Sequence, residues 1–199
     1  MAKIVTVMQQ KGGVGKSTVS INLYHFLKNG LKTAVVDFDT QNSISIAEEE
    51  DGEVLLDKAA LYDKNKMEEY EVLIVDTPPY LSDSLPEIIK SSSLIIVPVK
   101  AGLLDVAAID NTISFLKSNL TNLKKVKVLF NMIVPNTSLN DQAYSAVKDY
   151  GISIFTTQLH NRVSYTRSPL LDKGIYSSKD KKAIDEFNAF GTEVLKALI

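Results

Sequence analysis

The sequence predicts an α/β fold in which a mainly parallel sheet is wound on both faces by helices. Short runs rich in β-branched residues alternate with longer amphipathic stretches, which is the order of repeated β-α-β units. Runs such as 72–75 and 94–97 are apolar throughout, as expected of strands that helices cover on both faces. The first run also leads straight into a glycine-rich turn and a helical stretch, an arrangement typical of this class.

The predicted elements follow each other in a regular order. Strands are expected at Ile4–Met8, Thr33–Phe38, Val72–Asp76, Leu94–Val99, Val126–Asn131 and Ile152–Thr156. Helices are expected at Lys16–Asn29, at Leu103–Leu120, at Leu139–Tyr150 and from about Ser178 to the end of the chain. We expect Gly30 to cap the end of the first helix and Ser177 or Ser178 to cap the start of the last one.

Length and composition narrow the class of protein. A chain of 199 residues with 45% hydrophobic residues has enough apolar material for one well-buried core, so we expect a single domain over 1–199. With no cysteine, disulfides, iron–sulfur clusters and thiolate zinc sites are excluded. The formal charge of -2 argues against a uniformly basic nucleic-acid binder. No apolar run is long enough to span a membrane, and the first is too short for a cleavable signal, so we expect a cytoplasmic protein.

The turn at 11–18, K-G-G-V-G-K-S-T, has the composition of a phosphate-binding loop. Gly12, Gly13 and Gly15, with Val14 between them, allow the backbone to curl so that successive N–H groups point at phosphate oxygens. The start of the following helix adds the positive end of its dipole. The alternative is an ordinary glycine-rich turn with an incidental lysine. A strand before the turn and a helix after it favour the phosphate loop.

Three side chains at the end of the loop have predicted contacts with ATP and Mg²⁺. Lys16 is expected to reach the β- and γ-phosphates as a point charge, and the hydroxyl of Ser17 is expected to ligate Mg²⁺. Thr18, one residue later, is placed to contact the α-phosphate. The sequence therefore predicts a site for ATP and Mg²⁺ at the start of the first helix.

The start of the loop departs from the ordinary Walker A pattern. Gln10 stands where that pattern has its first glycine, and Lys11 follows it. The loop resembles the deviant Walker A motif, K-G-G-x-G-K-[ST], of the ParA/MinD family of ATPases. That resemblance implies an ATP-bound homodimer in which Lys11 acts on the active site of the other subunit. The alternative is that Lys11 is only a surface charge.

Two further segments resemble the family in order and spacing. Asp37 and Asp39 lie at the end of the second predicted strand, where an i, i+2 pair points the same way. They match the family's D-x-D-P-Q segment, except that Thr40 replaces the proline. The resemblance implies that Asp39 orients the attacking water and that Asp37 supports the Mg²⁺ shell. Asp76 ends a Walker B strand and is expected to hold Mg²⁺, with two prolines stiffening the exit.

An asparagine ends the fifth predicted strand. Relatives commonly read the adenine edge at the position of Asn131, and an amide suits a donor–acceptor pair. A simple strand-terminating asparagine is the alternative.

The segment 158–169 resembles the region before the C-terminal helix of small plasmid-type ParA ATPases. It contains both arginines of the chain, Arg162 and Arg167. The planar guanidinium group suits phosphate, so the two could contact a DNA backbone, and binding of this kind would be independent of base sequence. Four lysines could extend the patch: Lys173, Lys179, Lys181 and Lys182. Ordinary surface ion pairs are the alternative interpretation of the arginines.

Together these resemblances imply a DNA-segregation ATPase. An ATP-dependent homodimer would bind nonspecific DNA and associate with the nucleoid, and a ParB-like or small centromere-binding adaptor would stimulate hydrolysis and release. Membrane positioning through a C-terminal helix, as in the MinD branch, is the alternative. The tail 187–199 carries only one lysine for anionic lipid, so a membrane partner is not expected. A nucleotide or metabolic kinase is disfavoured by Lys11 and by the lack of an obvious lid segment for a phosphate acceptor.

Overall fold

A computed structural model describes residues 2–38, 55–56, 58–135 and 137–199, and a parallel β-sheet forms its centre. In the described residues the sheet has seven strands, in the order β3-β2-β4-β1-β5-β6-β7. All of the strand pairs are parallel. The strands are β1 Lys3–Val7, β2 Thr33–Asp37, β3 Leu55–Leu56, β4 Val72–Asp76, β5 Leu94–Val99, β6 Val126–Phe130 and β7 Ser153–Ile154.

Helices connect these strands and cover both faces. The α-helices are α1 Lys16–Leu27, α2 Lys64–Glu68, α3 Leu85–Ser91, α4 Leu103–Asn119, α5 Ser138–Asp149, α6 Val163–Arg167 and α7 Lys181–Leu198. Short 3₁₀ turns occupy Lys58–Tyr62, Ser168–Leu170 and Gly174–Ser177. The predicted class, a doubly wound and mainly parallel α/β sheet, is confirmed.

Each face of the sheet has its own buried apolar residues. On one face, α1 and α7 pack through residues such as Leu23 and Phe190 against alternate positions of the strands, for example Val5. On the other face there are two clusters: α3, α4 and α5 pack against the intervening positions of β5 and β6, and a further cluster covers β2 and β4 at positions such as Val36 and Leu73. Both faces of the central strands are therefore covered, which is why their sequences are apolar without alternation.

The strand order places the chain reversal next to β1. The strands β2, β3 and β4 lie on one side of β1, whereas β5, β6 and β7 lie on the other. In open parallel sheets a ligand binds outside the carboxyl ends of the strands at such a reversal. The glycine-rich loop leaves β1 at this point.

Two predicted helix caps are wrong. Gly30 does not cap α1, because the helix ends at Leu27 and its C-cap is Lys28, whose N–H donates to the carbonyl of Tyr24. The last helix is not capped by Ser177 or Ser178. Its cap is Asp180, whose carboxylate accepts from the N–H of Ala183 at 3.1 Å.

The last predicted strand, 152–156, is shorter than expected. Only Ser153 and Ile154 belong to β7. The N–H of Phe155 still donates to the carbonyl of Val128 in β6 at 2.9 Å. The two N–H groups after it, of Thr156 and Thr157, donate instead to the carboxylate of Glu193 on α7 at 2.9 and 2.7 Å. A side chain from a distant helix therefore takes up the backbone donors that a longer strand would have used.

Candidate nucleotide site

The phosphate loop runs from the end of β1 to the start of α1, and two of its glycines have left-handed backbones. Gly13 has φ = 70° and Gly15 has φ = 88°, values that favour glycine. A Cβ atom at Gly15 would also collide with the side-chain amide of Asn131. Gly15 is therefore required both by its conformation and by the close approach of Asn131. At Gly12 a Cβ would meet no atom within 4 Å. The glycines that the loop requires are therefore Gly13, because of its φ, and Gly15.

The first turn of α1 is arranged to receive an anion. Its N-cap, Gly15, has no side chain that could occupy the N–H groups of the turn. Lys16 follows as the first helical residue and is only 6% exposed, close enough to Asp76 for its charge to lower the pKa of that carboxyl. Exposed N–H groups, the helix dipole and a lysine at one point make an anion site.

The carboxylate of Asp76 lies at the end of β4 and is fully buried beside α1. Its two oxygens accept hydrogen bonds from two serines of that helix, Ser17 at 2.6 Å and Ser20 at 2.9 Å. The pKa of Asp76 is raised from 3.8 to about 7, chiefly because the carboxyl is buried. Neighbouring Asp37 also acts to raise this pKa, whereas the two serine hydroxyls and Lys16 act to lower it. Asp76 is thus a carboxylate held in a fixed position by α1.

Asp37 ends the adjacent strand β2 and is the register partner of Asp76. The two carboxylates and the hydroxyl of Ser17 lie together at the carboxyl edge of the sheet, beside the phosphate loop. All three are oxygen donors, which suit Mg²⁺ when it is bound through one or two carboxylates and phosphates. The residues therefore fit the Mg²⁺ site that the sequence predicts.

Helix α4 holds the beginning of the loop. Gln9 is 2% exposed, and its side-chain oxygen accepts from the hydroxyl of Thr112 and from the N–H of Gln10. One residue later, the ammonium group of Lys11 pairs with the carboxylate of Asp105 at 2.7 Å. In this conformation Lys11 is therefore held by a helix of its own subunit.

Asn131 follows β6 and braces the loop from the other side. It is 5% exposed, its Nδ2 donates to the carbonyl of Val14 at 2.8 Å, and its Oδ1 accepts from the N–H of Met132 at 3.0 Å. Met132 has φ = 56°, an uncommon value for a residue other than glycine. Asn131 thus supports the loop backbone, and its contact with adenine stays a prediction.

Two residues of the predicted nucleotide site, Thr18 and Asp39, remain to be considered. Thr18 lies in the first turn of α1 beside Ser17, and its carbonyl accepts from the side chain of Asn22. Asp39, the predicted water-orienting residue, lies outside the described residues. Its role therefore stays a prediction.

The two arginines have different surroundings. Arg162 forms an ion pair with Glu186 of α7, and its Nε also donates to the same carboxylate at 3.3 Å. His160 binds this carboxylate through Nδ1 at 2.9 Å. Arg167, at the end of α6, is exposed. Arg162 is therefore occupied within the fold, whereas Arg167 is accessible.

The four lysines that follow Arg167 are all exposed. They lie between the 3₁₀ turn at Ser168–Leu170 and the start of α7, and they are Lys173, Lys179, Lys181 and Lys182. Together with Arg167 we call them the basic segment. The neighbouring carboxylate of Asp180 is engaged by the hydroxyl of Ser164 at 2.8 Å and by the start of α7, so it does not pair with these cations.

Comparison with known proteins assigns the family. The model of the CobQ/CobB/MinD/ParA nucleotide-binding domain matches residues 5–175, which is more than half of the chain. The chain belongs to the ParA/MinD family, and it is an ATPase. The resemblance that the deviant loop indicates is therefore confirmed.

Relatives with different roles share this similarity along almost their whole length. The chain is 24% identical to maintenance of carboxysome distribution protein A of Halothiobacillus neapolitanus, over 96% of this chain and 95% of that protein. It is 25% identical to protein ParA of Rhizobium radiobacter, over 98% and 97%. Its fold matches a plasmid partition protein of Borrelia burgdorferi bound to AMPPNP, with a TM-score of 0.76, 20% identity and coverage of 98% and 99%.

The structure adds supporting residues that the sequence pattern does not single out. Two lie on α1, Ser20 and Asn22, and two on α4, Asp105 and Thr112. The two α1 residues lie in a helix that starts at a recognisable motif, but serine and asparagine within a helix carry no special signal. The two α4 residues act on a loop about 100 positions earlier in the chain, a pairing that only the folded sheet creates.

Proposed function

We propose that this chain is a ParA-like DNA-partition ATPase whose ATP-bound dimer binds nonspecific DNA. Hydrolysis, stimulated by a ParB-like or small centromere-binding adaptor, would release the DNA. The observation that carries the proposal is the basic segment, in which Arg167 and four lysines are exposed together. Five cations within one segment can neutralise several phosphates without reading bases. A protein of this kind would be cytoplasmic and nucleoid-associated when it holds ATP.

In the proposed site the loop backbone and Lys16 bind the phosphates of ATP. The residues fit a Mg²⁺ ion held by Ser17, Asp76 and Asp37, which when bound would neutralise phosphate charge. Ser20 holds the carboxylate of Asp76 in position for this role. Asp39, which the resemblance assigns to the attacking water, would then orient that water in line with the γ-phosphate.

Lys11 is the residue that makes the proposed ATPase a dimer. Its pairing with Asp105 places it at the edge of the loop, and its side chain is 34% exposed. An exposed surface ion pair is worth only about 0.2–1 kcal/mol, so contact with the phosphates of a second subunit can replace it. We propose that Lys11 leaves Asp105 when the ATP-bound dimer forms.

Two alternative functions can be weighed against specific observations. The relative from H. neapolitanus is named for the distribution of carboxysomes, so positioning of another kind of cargo is a second candidate. Membrane docking is less well supported, because α7 buries Phe187, Phe190 and Val194 in the core beneath α1. Among the described residues, none of the helices has the length and apolar character needed to cross a bilayer.

The deciding experiment measures retention on nonspecific duplex DNA with ATP, with ADP and without nucleotide, beside anionic vesicles. We expect retention with ATP only, and we expect Arg167→Ala to weaken it roughly tenfold and to reduce the salt slope by about 1. Lys148→Ala, at an exposed position of α5 on the other side of the sheet, is the matched control. Equal retention with ATP and ADP, or retention on vesicles alone, would contradict the proposal.

A further inference from the structure

The side chain of Asn22 connects the start of α1 to the 3₁₀ turns within the basic segment. Asn22 is fully buried, and its Nδ2 donates to the carbonyl of Thr18 and to the hydroxyl of Ser168, both at 2.7 Å. Its Oδ1 accepts from the N–H of Ile175 at 2.6 Å. Both N–H groups and the oxygen of the amide are therefore engaged, and two of the three bonds cross about 150 positions of sequence.

Both long-range bonds of Asn22 reach residues next to the exposed cations. Ser168 directly follows Arg167 and passes the connection on, because its hydroxyl donates to the carbonyl of Tyr165 at 2.9 Å. Ile175 lies two positions after Lys173. The backbone at Gly174, between Lys173 and Ile175, lies so close to Asn22 that a Cβ at Gly174 would meet the Oδ1 of Asn22 at 2.5 Å. The same Cβ would meet the ring of His25 at 2.8 Å, so the segment fits tightly against α1 at Asn22 and His25.

The other end of the connection is the nucleotide site. Thr18, whose carbonyl binds Asn22, lies one residue after the proposed Mg²⁺ ligand Ser17 and in the turn that receives the phosphates. A buried and fully satisfied hydrogen-bond network is costly to break, so its members move together. A shift of this turn on nucleotide binding therefore moves Asn22, and Asn22 moves Ser168 and Ile175.

We infer that Asn22 is the positioning residue through which nucleotide binding at the phosphate loop sets the conformation of residues 165–176. The effect on DNA binding rests on the proposed function, whereas the conformational link itself does not. Asn22 acts through Thr18 and Ser168 and contacts no nucleotide.

The turn directly after α1 provides a control for this inference. Asn29 makes the same local bond, from its Nδ2 to the carbonyl four positions earlier, that of His25, at 3.1 Å. Asn29→Ala therefore removes a back-bond of the kind that Asn22 makes to Thr18, without touching Ser168 or Ile175. A second variant, Ser168→Ala, removes the bond between Asn22 and Ser168 together with the bond from Ser168 to the carbonyl of Tyr165. It leaves the bonds of Asn22 to Thr18 and Ile175 in place.

The test is hydrogen exchange of the backbone amides of 165–176, with and without Mg²⁺ and a non-hydrolysable ATP analogue. In the wild type we expect the analogue to change exchange in this range about fivefold or more, as for a typical coupling between two sites. In Asn22→Ala and in Ser168→Ala we expect the change in the phosphate loop to remain and the change in 165–176 to fall below about twofold. Asn29→Ala should respond like the wild type.

Three results would overturn the link. In the first, exchange in 165–176 of the wild type does not respond to the analogue. In the second, both variants keep the full response. In the third, both variants lose binding of the analogue, which would make Asn22 part of the loop itself. If Asn22→Ala does not fold, Ser168→Ala decides between these results.

A parallel DNA-retention measurement separates this link from the proposed function. Arg167→Ala should weaken DNA retention roughly tenfold and keep the exchange response, because Arg167 lies beyond the connection made by Asn22. If the wild type fails to retain DNA while exchange still responds through Asn22, the DNA proposal fails and the link stands. If DNA is retained and exchange does not respond, the link fails and the DNA proposal stands.

Discussion

The fold uses the cations of its two candidate binding regions in different ways. At the phosphate loop, Lys16 is buried at the start of α1, close enough to Asp76 for its charge to lower the pKa of that carboxyl. Near the C-terminus, Arg162 is held by Glu186 of α7, whereas Arg167, five positions later, is exposed. One region buries its principal cation beside a carboxylate at the start of α1, and the other uses one arginine for its own packing.

The difference follows from how far apart the interacting residues lie in sequence. The phosphate loop binds with its own backbone and with side chains within eight positions, so a short motif is enough to predict it. The role of Arg162 depends on a glutamate 24 positions later, on a helix that the motif does not include. A local pattern therefore predicts a contact with phosphate more safely than it predicts which arginine is free.

The largest effect is expected from a substitution that disrupts the phosphate loop and leaves the region around Arg162 and Arg167 intact. In Lys16→Ala the phosphates lose their buried cation, so we expect ATP affinity to fall by at least about 100-fold. Calorimetric titration with ATP measures this, and Lys64→Ala, at an exposed position of α2, is the control. Thermal unfolding should show that the fold around Arg162 and Glu186 is kept. Retained ATP affinity would refute the assignment of the phosphate loop.

The sequence predicts the sheet and the centre of the site well, because both depend on local patterns. The strands Val72–Asp76 and Leu94–Val99 have the predicted ends, since helices cover both faces and the runs are apolar except for Asp76 at the end of the first. Asp37 and Asp76 lie side by side because parallel strands end at the same edge. The motif thus places the carboxylates and the loop together before any packing is known.

The features that the sequence does not predict depend on contacts between distant segments. The end of β7 is set by Glu193, the position of Lys11 by Asp105, and the environment of Arg162 by Glu186. None of these partners lies within 20 positions of the residue that it holds. The capping error at α7 has a local cause, because three candidate caps, Ser177, Ser178 and Asp180, lie within four positions.

A smaller effect, on the affinity for Mg²⁺, is expected from a substitution beside the phosphate loop. Ser20→Ala removes one of the two hydroxyl groups that hold Asp76, so we expect Mg²⁺ affinity in the presence of nucleotide to fall about 10–100-fold. Binding of nucleotide without metal should change little, because the hydroxyl of Ser20 donates to the carbonyl of Lys16 at 3.1 Å and so leaves the N–H groups of the loop and the ammonium group of Lys16 in place. Titration of Mg²⁺ with a fluorescent nucleotide measures both quantities.

A matched serine tests the specificity of this effect. The hydroxyl of Ser91 donates to the carbonyl of Glu87, four positions earlier, as the hydroxyl of Ser20 does to the carbonyl of Lys16. Ser91 lies in α3, away from the site. Ser91→Ala should leave Mg²⁺ affinity unchanged. An equal effect of both substitutions, or none from Ser20→Ala, would mean that Ser20 does not position the metal ligand.

The smallest effect concerns the second region and depends on pH. Burial acts to raise the pKa of Glu186, but the hydrogen bonds from Arg162 and from the N–H of His160, with the charges of both side chains, hold it below its usual value. A carboxylate with a lowered pKa stabilises the fold above its usual pKa, and this stability is lost as pH falls through the folded value. Glu186→Gln should therefore lower the free energy of unfolding at pH 7 by roughly 1–2 kcal/mol.

Thermal unfolding across pH would measure this contribution, with a shift of about 2–6 °C at pH 7 for a chain of this size. The difference between wild type and Glu186→Gln should shrink as pH falls below the usual glutamate pKa of 4.5 and through the lower folded value, because wild-type Glu186 then takes up a proton and loses its charge-assisted bonds. Asp185→Asn, which changes the adjacent exposed carboxylate of α7, should show no such profile. If the shift for Glu186→Gln is the same at every pH, the charge on Glu186 does not hold Arg162, and Arg162 would regain its place beside Arg167 as a candidate contact for DNA.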